Sequence, residues 1–129
     1  MNPQQSFYEA KLAYEIDSWD LSEAIKAGEN VTVVDARSPQ AFARKRIPGA
    51  VSLPHRSMTK ESTDRIDASS LVVTYCDGIG CNASTKGALA MSRLGFRVRE
   101  LMGGLDWWIR DGHPVEGDGE PSDCGCGDG

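Results

Sequence analysis

Apolar residues along this chain gather into short runs separated by polar stretches of helical pattern. "VTVVDARSP" opens as an uncharged, β-branched run and reads as a buried strand ending near Asp35. A helix start follows it, with Ser38 as N-cap and Pro39 at the first helical position. That helix is short, about Pro39 to Lys45, and "RIPGA" then turns the chain into a second apolar run, "AVSLP". "LVVTYC" is the most strand-like segment, and its lack of alternation predicts burial on both faces, as in a parallel sheet. Beyond the next loop, Ala83, Gly87, Ala90, Met91 and Leu94 recur at helical spacing, and Gly95 supplies a C-terminal cap. "FRVREL" gives another strand, and "GGLDWWIRDG" a short helix closed by Gly112. Upstream, "SFYEAKLAYEI" has a helical pattern, and "DSWDLSEAIKAG" reads as a turn and a helix stopped at Gly28. Residues 56–69 are polar and weakly patterned, a loop with one helical turn. Strands alternating with helices imply right-handed crossovers and a parallel α/β sheet. Three parts follow: an N-terminal helical segment, 1–30, packing on the fold; a domain over 31–115; and an acidic, Gly-rich tail over 116–129.

A chain of 129 residues is one domain, long enough to build a core without disulfide staples. No apolar run approaches the roughly 20 residues needed to cross a bilayer. The opening "MNPQQSFYEAKLAYE" lacks a basic region followed by an apolar block, so the expected location is the cytoplasm, where thiols stay reduced. The net charge is −5, but five acidic residues and no Lys or Arg lie from Gly112 onward, leaving 14 acidic against 14 basic residues before it. The fold itself is balanced. It carries no basic stripe for nucleic acid, and no membrane partner is expected.

The chemistry concentrates in "TYCDGIGCNAS", Thr74 to Ser84. Cys76 stands where a buried strand ends and a helix is about to begin, the crevice in which open α/β sheets bind ligands. Gly78 and Gly80 let the backbone curl so that successive amides face inward as an anion-binding nest. The positive end of the next helix points into the same space, so a thiol there has its charged form stabilised. Cys76 is therefore read as a nucleophile, although a small core cysteine would also fit the end of a strand. Cys81, five residues on, is too far for a C-x-x-C redox pair; it is a packed thiol or a resolving partner of Cys76, and the packed thiol is favoured. No metal is expected: Cys124 and Cys126 in the tail do not complete a usual zinc spacing with the loop pair, and His55 and His113 have no partner pattern. A cysteine phosphatase needs C-x5-R, and Asn82 occupies the arginine position.

"VVDARSPQAFARKRIPGAVSLP", "LVVTYC", the glycine loop, "LGF" and "ELMGGLDWWIRDGHPV" together resemble a single-domain rhodanese, over roughly Val31 to Val115. The resemblance implies a three-layer α/β fold, with a central, mostly parallel five-stranded sheet and helices on both faces. It implies a sulfurtransferase needing no cofactor. On that resemblance Cys76 would become a persulfide by taking sulfane sulfur from thiosulfate or a persulfide donor, then pass it to a thiophilic acceptor, a thiol that can belong to a protein. Asp77, Gly78, Ile79, Gly80, Cys81 and Asn82 would form the substrate-binding loop, and Asp35 with Arg37 a polar brace beneath it. Gly103 and Gly104 match the turn before the last helix, where Trp107 and Trp108 would mostly pack. The loop is about two residues longer than the common C-x-x-G-x-R form, so Ala83 stands at the arginine position and Ser84 at the serine. The extended "CDGIGCN" form resembles a bacterial subgroup and implies a less cationic pocket. Lys45-Arg46 replaces the usual Gly-His, and Arg46 is read as a helix-end cation. Two other readings stand beside the transferase: a redox- or persulfide-sensing module using Cys76 and Cys81, and a catalytically inactive interaction domain.

Overall fold

A computed structural model describes residues 2–118. Helix α1 (Pro3–Tyr14) leads into strand β1 (Glu15–Ile16) and helix α2 (Ser18–Lys26). Strand β2 (Val31–Asp35), helix α3 (Pro39–Arg44) and strand β3 (Val51–Ser52) follow, then a 3-10 turn (His55–Ser57). Strand β4 (Leu71–Tyr75), helix α4 (Ala83–Arg93), strand β5 (Arg97–Leu101) and helix α5 (Gly104–Arg110) complete the described chain. The five strands form one sheet in the order β1-β5-β4-β2-β3, with every pairing parallel.

Strand periodicity sends successive side chains to opposite faces, and the core divides accordingly. Val33, Val73 and Tyr75 join Ile16, Leu21, Ile47, Leu101, Leu105 and Trp108 on the face covered by α2 and α5. Val34 and Val72 join Leu53, Ile66 and Met91 on the face covered by α4. β4 is buried from Val72 to Tyr75, which is why its sequence shows no alternation. The three-layer α/β fold is as the sequence implies.

Several punctuation marks act as read. Ser38 caps α3 by accepting a hydrogen bond from the Ala41 amide, and Gly95 and Gly112 close their helices at positive φ. α2 has a further cap in Asp17, which accepts from the Asp20 amide.

The N-terminal segment, 1–30, expected to be helical and to pack on the fold, buries its residues unevenly. α1 buries none of its residues, and Leu12 is 79% exposed. Ile16, by contrast, is buried in a fifth strand paired with β5. The buried side chains of this segment are therefore Ile16 of β1 and Leu21 and Ala24 of α2, among others, while α1 lies against β5, its Ala13 carbonyl accepting from Arg99. The start of the acidic tail is also held: Glu116 forms an antiparallel bridge with Arg46, and the Asp118 amide donates to the Ala43 carbonyl. The rest of the tail, with Cys124 and Cys126, lies outside the described residues. Among the described residues no helix is long and apolar enough to cross a membrane.

Candidate active site

Parallel strands open a crevice beyond their carboxyl ends, and the ends of β2, β4 and β5 meet there. Cys76 follows β4 directly. It continues the row Val72–Thr74 on the α4 face and packs against Ala36 and Ala83, with Met58 and Cys81 alongside. Its residue is only 1% exposed. The Thr74 hydroxyl donates to the Ser84 carbonyl at 3.0 Å, tying the strand end to the first turn of α4. Ser84 and Thr85 each donate to one carboxylate oxygen of Glu100 at 2.7 Å, which fastens the same turn to β5.

The loop between β4 and α4 is drawn back on itself. The Cys81 amide donates to the Gly78 carbonyl at 3.2 Å, and Gly80 takes a φ of +93° at the reversal. Ile79, at the tip, is 80% exposed. The reversal brings Cys81 onto Cys76, and the two are joined by a disulfide with Cα atoms 6.3 Å apart. That separation falls inside the range of about 4.4–6.8 Å that disulfides use. Cys81 is therefore not the free packed thiol favoured from spacing alone. Five residues suffice for pairing because the glycines allow a turn that spacing does not reveal.

The first turn of α5 holds the other side of the loop. The Leu105 amide donates to the Cys76 carbonyl at 2.9 Å, and the Asp106 amide to the Asp77 carbonyl at 2.8 Å. Gly103 and Gly104 both have positive φ, and a Cβ on Gly104 would lie 2.5 Å from the Cys76 carbonyl oxygen and 2.9 Å from the Gly78 nitrogen. Only glycine permits so close an approach. Trp108 packs beneath, as expected, while Trp107 stays half-exposed under the Arg110 guanidinium. Asn82, at the N-cap of α4, makes no side-chain cap bond, which leaves the first-turn amides of α4 without a side-chain partner there.

Asp35 and Arg37 form a buried brace. Arg37 donates through Nε and Nη2 to the two Asp35 carboxylate oxygens, with an Nη2–Oδ2 distance of 2.7 Å. Its Nη1 reaches Asp77 at 3.0 Å, and Nη2 also meets the Lys45 carbonyl. Burial opposes the guanidinium charge, but the hydrogen bonds and charge of Asp35, with Asp77 behind, outweigh it and hold the pKa above its ordinary value. Tyr75 beside this pair is pushed up by burial and then by the Asp35 charge, and its hydroxyl accepts from the Ile47 amide. One cation thus links the end of β2 to the residue after Cys76. Arg46 instead turns to the Phe42 and Ala43 carbonyls and to Glu116, the helix-end role read for it.

Beside Cys81 opens a cleft of about 420 Å³, lined by Gly78, Gly80, Ser84, Thr85, Glu100 and Gly103 among others. Glu15 and Lys11 also line it, joined to each other at 2.8 Å. Its other carboxylate is Glu100, held by the Ser84 and Thr85 hydroxyls, a residue the sequence pattern did not mark because a glutamate in a strand suggests a solvent-facing position. The signal was its place at the carboxyl end of a parallel strand. Lys86 and Arg56 gather elsewhere, near the half-buried His55, whose pKa is lowered by burial and then by their charges. Cys76, Asp77 and Cys81 each place one potential metal-ligand atom within 4.8 Å of the others. Two of those atoms are bonded to each other and the third binds Arg37, so the oxidised loop offers no thiolate set.

Comparison with known proteins gives a consistent relationship. Residues 19–111 match the model of the rhodanese-like domain. A protein from Allochromatium vinosum named sulfurtransferase is 35% identical over 101 residues, covering 78% of this chain and 92% of that protein. The crystal structure of the BH2092 protein from Bacillus halodurans superposes with a TM-score of 0.83 at 41% identity, over 90% of this chain and 87% of that one. The thiosulfate sulfurtransferase of Pseudomonas aeruginosa, at 18% identity, shares the fold with a TM-score of 0.70, over 84% of this chain and 21% of its own.

Proposed function

The chain belongs to the rhodanese-like domain family, and from that premise we propose that it is a sulfurtransferase carrying sulfane sulfur as a persulfide on Cys76. The observation that carries this reading is the position of Cys76, at the carboxyl end of β4 and against the uncapped first turn of α4. A thiolate there is favoured by the helix dipole, and the sulfur it accepts remains among main-chain donors.

The reacting form is the reduced loop. The Cys76 thiolate attacks the outer sulfur of the donor, forming a new S–S bond while the donor's own S–S bond breaks. Sulfite leaves from thiosulfate, or a thiolate from a persulfide. An acceptor thiolate then attacks the terminal sulfur, and Cys76 leaves as thiolate with its charge again stabilised. The cleft favours a persulfide over the dianion thiosulfate, because Glu100 and Glu15 line it and Lys11 is already paired.

Intact-mass measurement on the reduced Cys81→Ser protein, whose loop disulfide cannot form, after incubation with a persulfide or thiosulfate and removal of excess donor, tests the reading. A gain of one sulfur on the Cys76 peptide, lost on adding cyanide and missing in Cys76→Ser, is the expected result. No gain from either donor would remove the carrier reading. The disulfide also favours a second reading, a redox-sensing module in which Cys76 and Cys81 are the switch. A carrier keeps much of its transfer activity in Cys81→Ser, whereas a two-thiol switch loses its response to mild oxidants.

A further inference from the structure

A persulfide carrier needs one cysteine, yet the loop brings a second sulfur into bonding contact with the first. We propose that Cys81 is a resolving thiol: it discharges the Cys76 persulfide inside the loop, giving the chain a second activity, dithiol-dependent release of hydrosulfide from sulfane sulfur. The proposal rests on the Cys76 persulfide reading and adds an outcome to it.

Geometry comes first. The Cys81 sulfur reaches the Sγ of Cys76, the inner sulfur of a Cys76 persulfide. The turn that delivers it is built in, with the Cys81 amide on the Gly78 carbonyl and Gly80 at φ +93°. A Cβ at Gly80 would meet nothing within 4 Å, so what that position uses is its positive φ, the conformation that reverses the chain.

The step balances without an outside oxidant. The Cys81 thiolate attacks Sγ of Cys76 and the Cys76–Cys81 bond forms. The bond from Sγ to the sulfane sulfur breaks, and hydrosulfide leaves with the persulfide proton. The sulfane sulfur is reduced, and the two cysteine sulfurs are oxidised to the disulfide. Glu100, on the wall of the cleft next to Cys81, disfavours return of the departing anion.

Exposure then sets the return path. Cys76 is buried, while Cys81 lies at the edge of the cleft. An incoming thiolate therefore meets the Cys81 sulfur, and Cys76, beside the first turn of α4, is the better leaving group. The second thiol of a dithiol reductant frees Cys81 from the mixed disulfide and restores the reduced loop. A dithiol-disulfide exchange reaction is thus the class that must follow each release.

The test uses the full chain with Cys124→Ser and Cys126→Ser, so that only the loop thiols react, and compares it with the same chain also carrying Cys81→Ser or Cys76→Ser. Each is reduced, given glutathione persulfide, desalted rapidly, and followed without added thiol for hydrosulfide and intact mass. The two-cysteine loop is expected to release about one hydrosulfide per chain and to end as a mapped Cys76–Cys81 disulfide. Cys81→Ser should hold its extra sulfur on Cys76, with release slower by roughly tenfold or more, the advantage of a positioned intramolecular thiol. Equal retention, or equal release, in these two proteins overturns the resolving role and leaves the persulfide reading intact. No sulfur on Cys76 in Cys81→Ser overturns both.

Discussion

Arg37 shows how one side chain carries the position of the site. Its guanidinium is buried, spans from Asp35 to Asp77, and also meets the Lys45 carbonyl. The Asp35 carboxylate is fully buried, so its charge depends on that partner. Arg37→Met keeps much of the side-chain volume but leaves Asp35 without its cation, a loss of about 3–5 kcal/mol. The denaturation midpoint in urea should fall accordingly, and the Asp35→Asn, Arg37→Met double variant should recover part of the loss. Full additivity of the two single changes would mean that the pair does not act as a unit. Asp35 and Arg37 were legible as a brace because charges at the end of a buried strand must be paired. The reach of Arg37 to Asp77 was not legible, since those residues stand 40 apart in sequence and only the β2–β4 register brings them together. The Cys81 pairing was legible only as the less favoured of two readings, because residue spacing does not say how far the turn that Gly80 permits will close.

Among the elements, those with a strong pattern of their own could be read from sequence and those made by pairing could not. β2 and β4 carry β-branched runs, β5 sets apolar Val98 and Leu101 among charged residues in a short segment bounded by Gly95 and Gly103, and α4 repeats its buried Ala83, Gly87 and Met91 at helical spacing. β1 has two residues, too few to show any period, so Glu15 and Ile16 read as the end of the preceding helix. Thr63 and Ile66 are likewise buried within a stretch that reads as polar loop, because a single apolar side chain there fills the α4-side core. The contrast between α1 and β1 predicts an unequal response to change. Ile16 sits in the core with Leu21 and Leu101, and Ile16→Ala should cost about 2–4 kcal/mol. Deleting Pro3–Tyr14, which buries none of its residues, should change stability by about 1 kcal/mol or less. Urea denaturation of both variants checks this, and a larger loss on deleting the helix would show that α1 supports the sheet edge despite its exposure.

At the scale of the whole molecule, the proposed sulfur transfer makes charge the property that sorts donors by how quickly they reach the loop. The chain carries −5 overall, and the cleft beside Cys81 adds Glu15 and Glu100 at close range. The cations Arg56 and Lys86 lie around the 3-10 turn and α4, beside His55, whose protonation their charges disfavour, and neither lines this cleft. A dianion therefore approaches against like charge, and salt should ease its approach by screening. The second-order rate constant for loading Cys76 from thiosulfate should rise roughly two- to fivefold between about 10 mM and 200 mM salt. A small persulfide of lower charge should respond by less than about twofold over the same range. Truncation after Asp118 removes Glu120, Asp123 and Asp128, taking the net charge from −5 to −2. It should raise the low-salt thiosulfate rate while leaving the persulfide rate nearly unchanged. Glu100→Gln should act in the same direction from inside the cleft. A thiosulfate rate that falls with salt would mean the dianion is drawn in rather than repelled. The cations flanking the 3-10 turn, not the carboxylates beside Cys81, would then define the entry to Cys76.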